Sequence, residues 1–213
     1  RGKEKGAQEQ AAMQRRRDML ILVGPSGGGK STLIGRLRKE FPGCFGYSVS
    51  HTTRGIRPGE VNGSSYHFVQ PSEFLALIDS GEFIEHAIVH DTMYGTSTAS
   101  VRSVLDRDQV CTMDLDIVGA QNLRKHPTLM PFVIFVQPPT LEECEKRLRN
   151  RGTETEERIE KRMCSAVKEV AWADAHRDFF DCMFINDDLE ECYEEFREKV
   201  MSGCFAQPED HSR

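Results

Sequence analysis

The sequence predicts an α/β fold, a mostly parallel sheet covered by helices on both faces. Short apolar runs alternate with helical patterns along the 213 residues, the order that strand–helix–strand crossovers produce. One of these runs, Met19–Val23, leads through three consecutive glycines into a segment with Leu33, Ile34, Leu37 and Phe41 at helical spacing. Size is the third observation: with 38% hydrophobic residues, a chain of this length buries one sizeable core and has room for inserted lobes.

Met19–Val23 is the expected first strand, and the helix that follows stops at Pro42-Gly43, a breaker pair. Phe45–Val49, Val110–Leu115, Phe132–Val136 and Cys182–Ile185 are the other core strands. Residues 50–101 are too many for a simple crossover. They read as an inserted lobe with Tyr66–Val69, a short helix near Ser72–Ile78 and the strand-like Phe83–Val89. After Pro138-Pro139, Thr140 and Glu143 form a capping box for a helix through Arg147 and Arg151, which Gly152 ends. Thr153 with Glu156 caps the next helix, carrying Arg158, Lys161 and Arg162. The last helix follows Asn186-Asp187-Asp188, with an apolar stripe of Leu189, Cys192, Tyr193, Phe196 and Val200, and stops at Gly203. The expected organisation is a disordered basic leader at 1–17, one domain at 18–206 and a flexible tail at 207–213. Within the domain the core takes 18–49, 102–137 and 166–206, the lobe 50–101 and a helical lid 138–165.

Several function classes are excluded early. A net charge of −6 argues against a nucleic-acid surface. No apolar run approaches the eighteen or so residues of a membrane span. Seven cysteines are scattered without C-x-x-C pairs, the usage of reduced thiols in a cytoplasmic protein. His86 and His90 share a face of a strand-like stretch but stand too far apart to chelate one ion, so no metal role is given to them. Trp172 reads as a packing residue.

Gly24-Pro25-Ser26-Gly27-Gly28-Gly29-Lys30-Ser31 fits the G-x-x-x-x-G-K-[ST] loop, and it lies between a strand and a helix, the context the motif requires. Its glycines let backbone N–H groups curl around phosphate oxygens, in an ATP-binding stretch that runs on to Thr32, while the following helix aims its positive end at the same anion. Lys30 suits the β- and γ-phosphates, and the Ser31 hydroxyl suits Mg²⁺. Asp114, ending a strand that faces the loop, either holds a Mg²⁺-bound water or is a plain strand-end residue. A second anion cradle stands in the insertion: Arg54 and Arg57 are three apart and Tyr66 follows, residue types that grip a phosphate by parallel hydrogen bonds. Two cradles, one for a triphosphate and one for a monophosphate, imply transfer between two nucleotides.

The pattern Thr-Thr-Arg-x-x-Arg-x-x-Glu-x-x-Gly-x-x-Tyr-x-Phe, from Thr52 to Phe68, resembles the signature of guanylate kinases. The likeness continues through Gly81–Glu85, Met93–Thr96, Asp114–Asp116, Arg151–Glu156 and Ile185–Asp187, covering Met19 to Met201. The resemblance implies a P-loop core, a GMP-binding lobe and a lid that close around ATP and GMP with Mg²⁺. It assigns GMP phosphate contacts to Arg54, Arg57, Tyr66 and Tyr94, and guanine contacts to Ser50, Glu85, Thr96 and Asp116. Arg151 and Arg162 would meet the transferring phosphoryl, and Arg147 would lie near the adenine and the ATP phosphates. Taken alone, these arginines read better as a charged face paired with Glu142, Glu143 and Glu145, and it is the matching motif that reverses this. Asn186 and Asp187 fall on the adenine side, where Asn186 also reads as a helix cap. Ser64-Ser65 stands where Lys-Asp is more usual, Thr96 where serine is frequent and Gly28 where alanine or threonine is common. The implied activity is ATP + GMP ⇌ ADP + GDP, with dGMP a second acceptor, and the expectation is a monomer without nucleic-acid or membrane partners. The alternative is a non-catalytic guanylate-kinase-like module that binds phosphopeptides.

Overall fold

The computed structural model describes residues 15–206, apart from His90, Arg151, Thr153 and Glu154. Five parallel strands make the main sheet: β1 (Met19–Val23), β2 (Phe45–Tyr47), β7 (Val110–Asp114), β8 (Pro131–Gln137) and β9 (Cys182–Ile185), in the order β2-β7-β1-β8-β9. As the central strand, β1 is apolar at every position because both its faces are covered. Leu20 and Leu22 point to a core shared with α1 (Lys30–Glu40) and α7 (Leu189–Cys204). Met19, Ile21 and Val23 point to another, shared with α3 (Thr98–Leu105), α4 (Ile117–Arg124) and Ala173. In β8 the same alternation sends Ile134 and Val136 one way and Val133 and Phe135 the other.

The insertion forms a second sheet, ordered β4-β3-β6-β5, from β3 (His51–Thr52), β4 (His67–Phe68), β5 (Phe83–Val89) and β6 (Thr92–Ser97). Helix α2 (Pro71–Asp79) covers it through the buried Phe74, whose ring lies 4.6 Å from that of Phe83. Beyond β8 come α5 (Leu141–Asn150) and α6 (Glu156–Ala175).

The elements differ from expectation at several ends. Thr140 does cap α5, its hydroxyl accepting from the Glu143 N–H at 3.1 Å. The cap of α6 is Thr155, accepting from the Arg158 N–H, whereas Thr153 lies outside the described residues. Helix α6 also runs through residue 165, so the boundary drawn there between lid and core falls inside one unbroken helix. Asp188, not Asn186, caps α7, and Gly203 is still helical. Arg15, Arg16 and Arg17, placed with the leader, are held by the fold: Arg16 and Arg17 donate backbone N–H groups to Cys204 O, and Arg15 donates to Gln109 O. Residues 207–213 lie outside the described residues.

Gly24, where β1 ends, has φ +134°, and a Cβ there would stand 2.1 Å from the Val136 carbonyl oxygen. That oxygen is backbone of a central strand and has nowhere to go. Gly24→Ala is expected to destabilise the fold by about 3 kcal/mol, lowering the melting temperature by roughly 6–12 °C. Gly35→Ala is the matched control, with nothing within 4 Å of its added Cβ, and should melt within a few degrees of the parent or slightly above it. Calorimetry of the two variants checks both.

Candidate active site

The two sheets face each other across a cleft of about 510 Å³. Its core side is the loop between β1 and α1. Gly29 occupies the cap position of α1 at φ +96°, leaving the first N–H groups of the helix without a side-chain cap. The loop is held from below: the Asn186 amide donates to Gly28 O at 2.9 Å, and the Cys144 thiol to Ser26 O at 2.9 Å. Asn186 is thus a buried brace of the loop, 4% exposed, and not a helix cap. Lys30, 8% exposed, donates to Gly24 O at 2.5 Å and Pro25 O at 3.1 Å, with Asp114 Oδ1 3.6 Å away. Arg162, from α6, reaches across and donates to the Ser26 hydroxyl at 2.6 Å.

The lobe side is folded around Glu60. This carboxylate accepts both guanidinium N–H groups of Arg54, at 2.7 and 2.5 Å, and the backbone N–H of Arg57 at 2.8 Å. Those bonds, first of all the one from Arg54, hold its pKa below the usual carboxylate range. The Arg54 guanidinium lies over the Tyr66 ring at 5.1 Å, and the Tyr66 and Tyr94 rings are 6.0 Å apart, edge to face. These contacts hold the side chains of the cradle in one arrangement.

At the far end stands a pair of acids. Glu85, on β5, is 6% exposed, and burial pushes its pKa up to about 7, with Asp116 adding to the rise and the Thr96 hydroxyl opposing it. Asp116 caps α4 through the Gly119 N–H at 2.7 Å, and burial raises its pKa as well. Both carboxylates converge above Gly119, where an added Cβ would meet Glu85 Oε2 at 2.9 Å and Asp116 Oδ1 at 3.2 Å. The Ser50 and Thr96 hydroxyls, 2.9 Å apart, complete this end.

One cavity therefore brings together Gly24, Ser26, Gly27, Gly29, Lys30, Ser31, Asp114 and Arg162 with Ser50, Arg54, Arg57, Tyr66, Glu85, Tyr94 and Asp116. A family model described as "Guanylate kinase" matches residues 16–202. The chain belongs to the guanylate kinase family.

Similarity to individual guanylate kinases is high. "Guanylate kinase 1" of Oryza sativa subsp. japonica is 48% identical over 86% of this chain, which spans 47% of that protein. "Guanylate kinase" of Sus scrofa is 45% identical over 85% of this chain and 90% of its own length. A crystal structure of guanylate kinase from Anaplasma phagocytophilum superposes with a TM-score of 0.67 at 30% identity, covering 87% of this chain and 85% of that one.

Some residues that the resemblance to guanylate kinases singled out are not drawn into the cleft. Arg147 turns back on its own helix, donating to Glu143 at 2.9 Å, the charged-face arrangement. Asp187 is exposed. Arg151 lies outside the described residues, and so does His90, while His86 is exposed on β5. Conversely, Arg38, Tyr47, Glu60 and Glu169 line the cleft without having been singled out. Glu60 was already visible in the motif. For Glu169 the signal was its spacing of seven from Arg162, which puts both on one face of α6.

Proposed function

We propose that the chain transfers the γ-phosphoryl group of ATP to GMP, with the glycine loop holding the donor and the lobe holding the acceptor. What carries the reading is the single cleft with a phosphate loop on one wall, an arginine cradle on the other and a buried acid pair beyond it. The nucleophile is a phosphate oxygen that is already ionised, so no general base is needed. The protein's work is positioning and charge. Lys30, Arg57 and Arg162, with Arg151 of the lid, would draw negative charge toward the in-line geometry. An ionised Glu85 accepts from both guanine N1–H and the 2-amino group, a donor pair that adenine lacks. The oxygen donors Ser31 and Asp114 beside Lys30 fit a magnesium ion that takes its remaining ligands from nucleotide phosphates and water. When bound, that ion would neutralise phosphate charge. Nothing in the cleft favours a non-catalytic phosphopeptide module.

A comparison of GMP, AMP and UMP as acceptors with ATP and magnesium tests the reading, and a preference for AMP would overturn it. The acid pair adds a pH dependence. With burial pushing its pKa up to about 7, Glu85 must lose a proton to accept two donors when the pH is lower. The KM for GMP is expected to rise about tenfold between pH 8 and pH 6, with the ATP KM changing less. Initial rates across that range measure it.

Among the described residues no helix is long and apolar enough to cross a membrane.

A further inference from the structure

We propose that Arg38 is a third phosphate-binding arginine of the acceptor site, gripping from the core wall the same phosphate that Arg54 and Arg57 hold from the lobe. The proposal rests on the GMP reading above and adds to it a residue that the sequence motifs did not include. Arg38 lies on α1 one turn beyond Ile34, and Ile34, Gly35 and Arg38 line the cleft along one edge of that helix. Its guanidinium lies over the Tyr47 ring, 5.2 Å from the centroid. Its Nε is buried and has no hydrogen-bond partner. Among the described residues, no carboxylate forms an ion pair with it.

The surroundings do not supply the missing charge. Burial, and then Asp114, push the Tyr47 phenol up to about 12, so at neutral pH it offers a ring face and no anion. Glu60, the acid of the facing loop, is already committed to Arg54 and to the Arg57 backbone. A guanidinium half withdrawn from water and left unpaired is costly. A phosphate supplies what it lacks, several acceptor oxygens in a geometry that matches two parallel N–H donors.

The position fits that ligand. Tyr47 and Tyr66 feel each other electrostatically, and Tyr66 underlies Arg54, so Arg38, Tyr47, Tyr66 and Arg54 form one continuous stretch of cleft wall. Ser64 and Ser65 line the same cavity. Being neutral, they add no side-chain charge to that part of the cavity. A phosphate bound by Arg54, Arg57 and Arg38 together would tie the lobe to the phosphate-loop helix.

Arg38→Met keeps the aliphatic stem over Tyr47 and removes the charge. The KM for GMP is expected to rise about tenfold with kcat changed less than twofold. The inhibition constant of guanosine, which has the same base and ribose but no phosphate, should stay unchanged, and Arg38→Lys should recover part of the loss. Unchanged guanosine binding also reports that the variant's cleft is intact. An unchanged KM for GMP would overturn the proposal. Equal weakening of guanosine would overturn it too, as would a rise confined to ATP, because the residue would then be shaping the pocket or serving the donor. If the unaltered protein fails to phosphorylate GMP, it is the parent reading that falls.

Discussion

Lys30→Met is expected to lower kcat by on the order of 10³-fold while leaving the melting temperature within a few degrees of the parent. In the structure the ammonium is tethered to the carbonyls of its own loop, Gly24 and Pro25, beside Asp114. These partners satisfy a buried cation. Bound phosphates would compete for the same N–H groups, and negative charge grows on the bridging oxygen only as the bond breaks, so the loss should fall on kcat more than on the ATP KM. Methionine retains the stem among the loop's backbone, which separates loss of charge from loss of packing. Single-turnover measurements with saturating ATP and GMP decide the matter, and a rate within tenfold of the parent would remove Lys30 from the transfer step.

The second large effect is on base choice. Glu85→Gln replaces an acceptor pair by one acceptor and one amide, whose N–H groups then face guanine's own donors. The kcat/KM for GMP should fall by about 10³-fold, and the preference for GMP over AMP should shrink by a similar factor. The same change should leave the fold as stable or more so at pH 8. Burial raises the Glu85 pKa from an ordinary 4.5 to about 7, so its contribution to stability is lost as the pH rises between those values and the full cost is present at pH 8, where the neutral amide removes it. Acceptor kinetics together with a melt at pH 8 test both halves. Undiminished GMP preference would take Glu85 out of guanine recognition.

How much of this was legible without coordinates depended on the kind of signal. Met19–Val23, Phe83–Val89 and Cys182–Ile185 have the bounds read from their apolar runs; the first is buried at every position, whereas Phe83–Val89 and Cys182–Ile185 keep their apolar pattern with only Glu85 and Phe184 buried. The strands His51–Thr52 and Thr92–Ser97 passed unnoticed. The first is two residues long, and the second mixes threonine, glycine and serine with only two large side chains, so neither carries a clean alternation. Helices α3 and α4, eight residues each, are too short for a periodic stripe to stand out. The glycine loop was plain because its residues are contiguous. Arg38 and Tyr47 were not, because no linear motif links them to the loop of Arg54 and Tyr66, and only folding places them along one wall. Asn186 kept two readings until its amide was seen to bond Gly28 O.

The unbroken α6 has a consequence for how the enzyme shuts. Twenty helical residues form a rod of about 30 Å, stiff over its length, with Arg162 nearer one end and the core-buried Ala173 near the other. With no break along α6, closure of the cleft would turn the outer helices about the point where the rod stops, and His176, with φ −130° and ψ 46°, marks that end. Tilting by a few degrees there would sweep Arg162 through several times the distance moved at Ala173. The anchored end would act as fulcrum, with the guanidinium out along the arm of a lever.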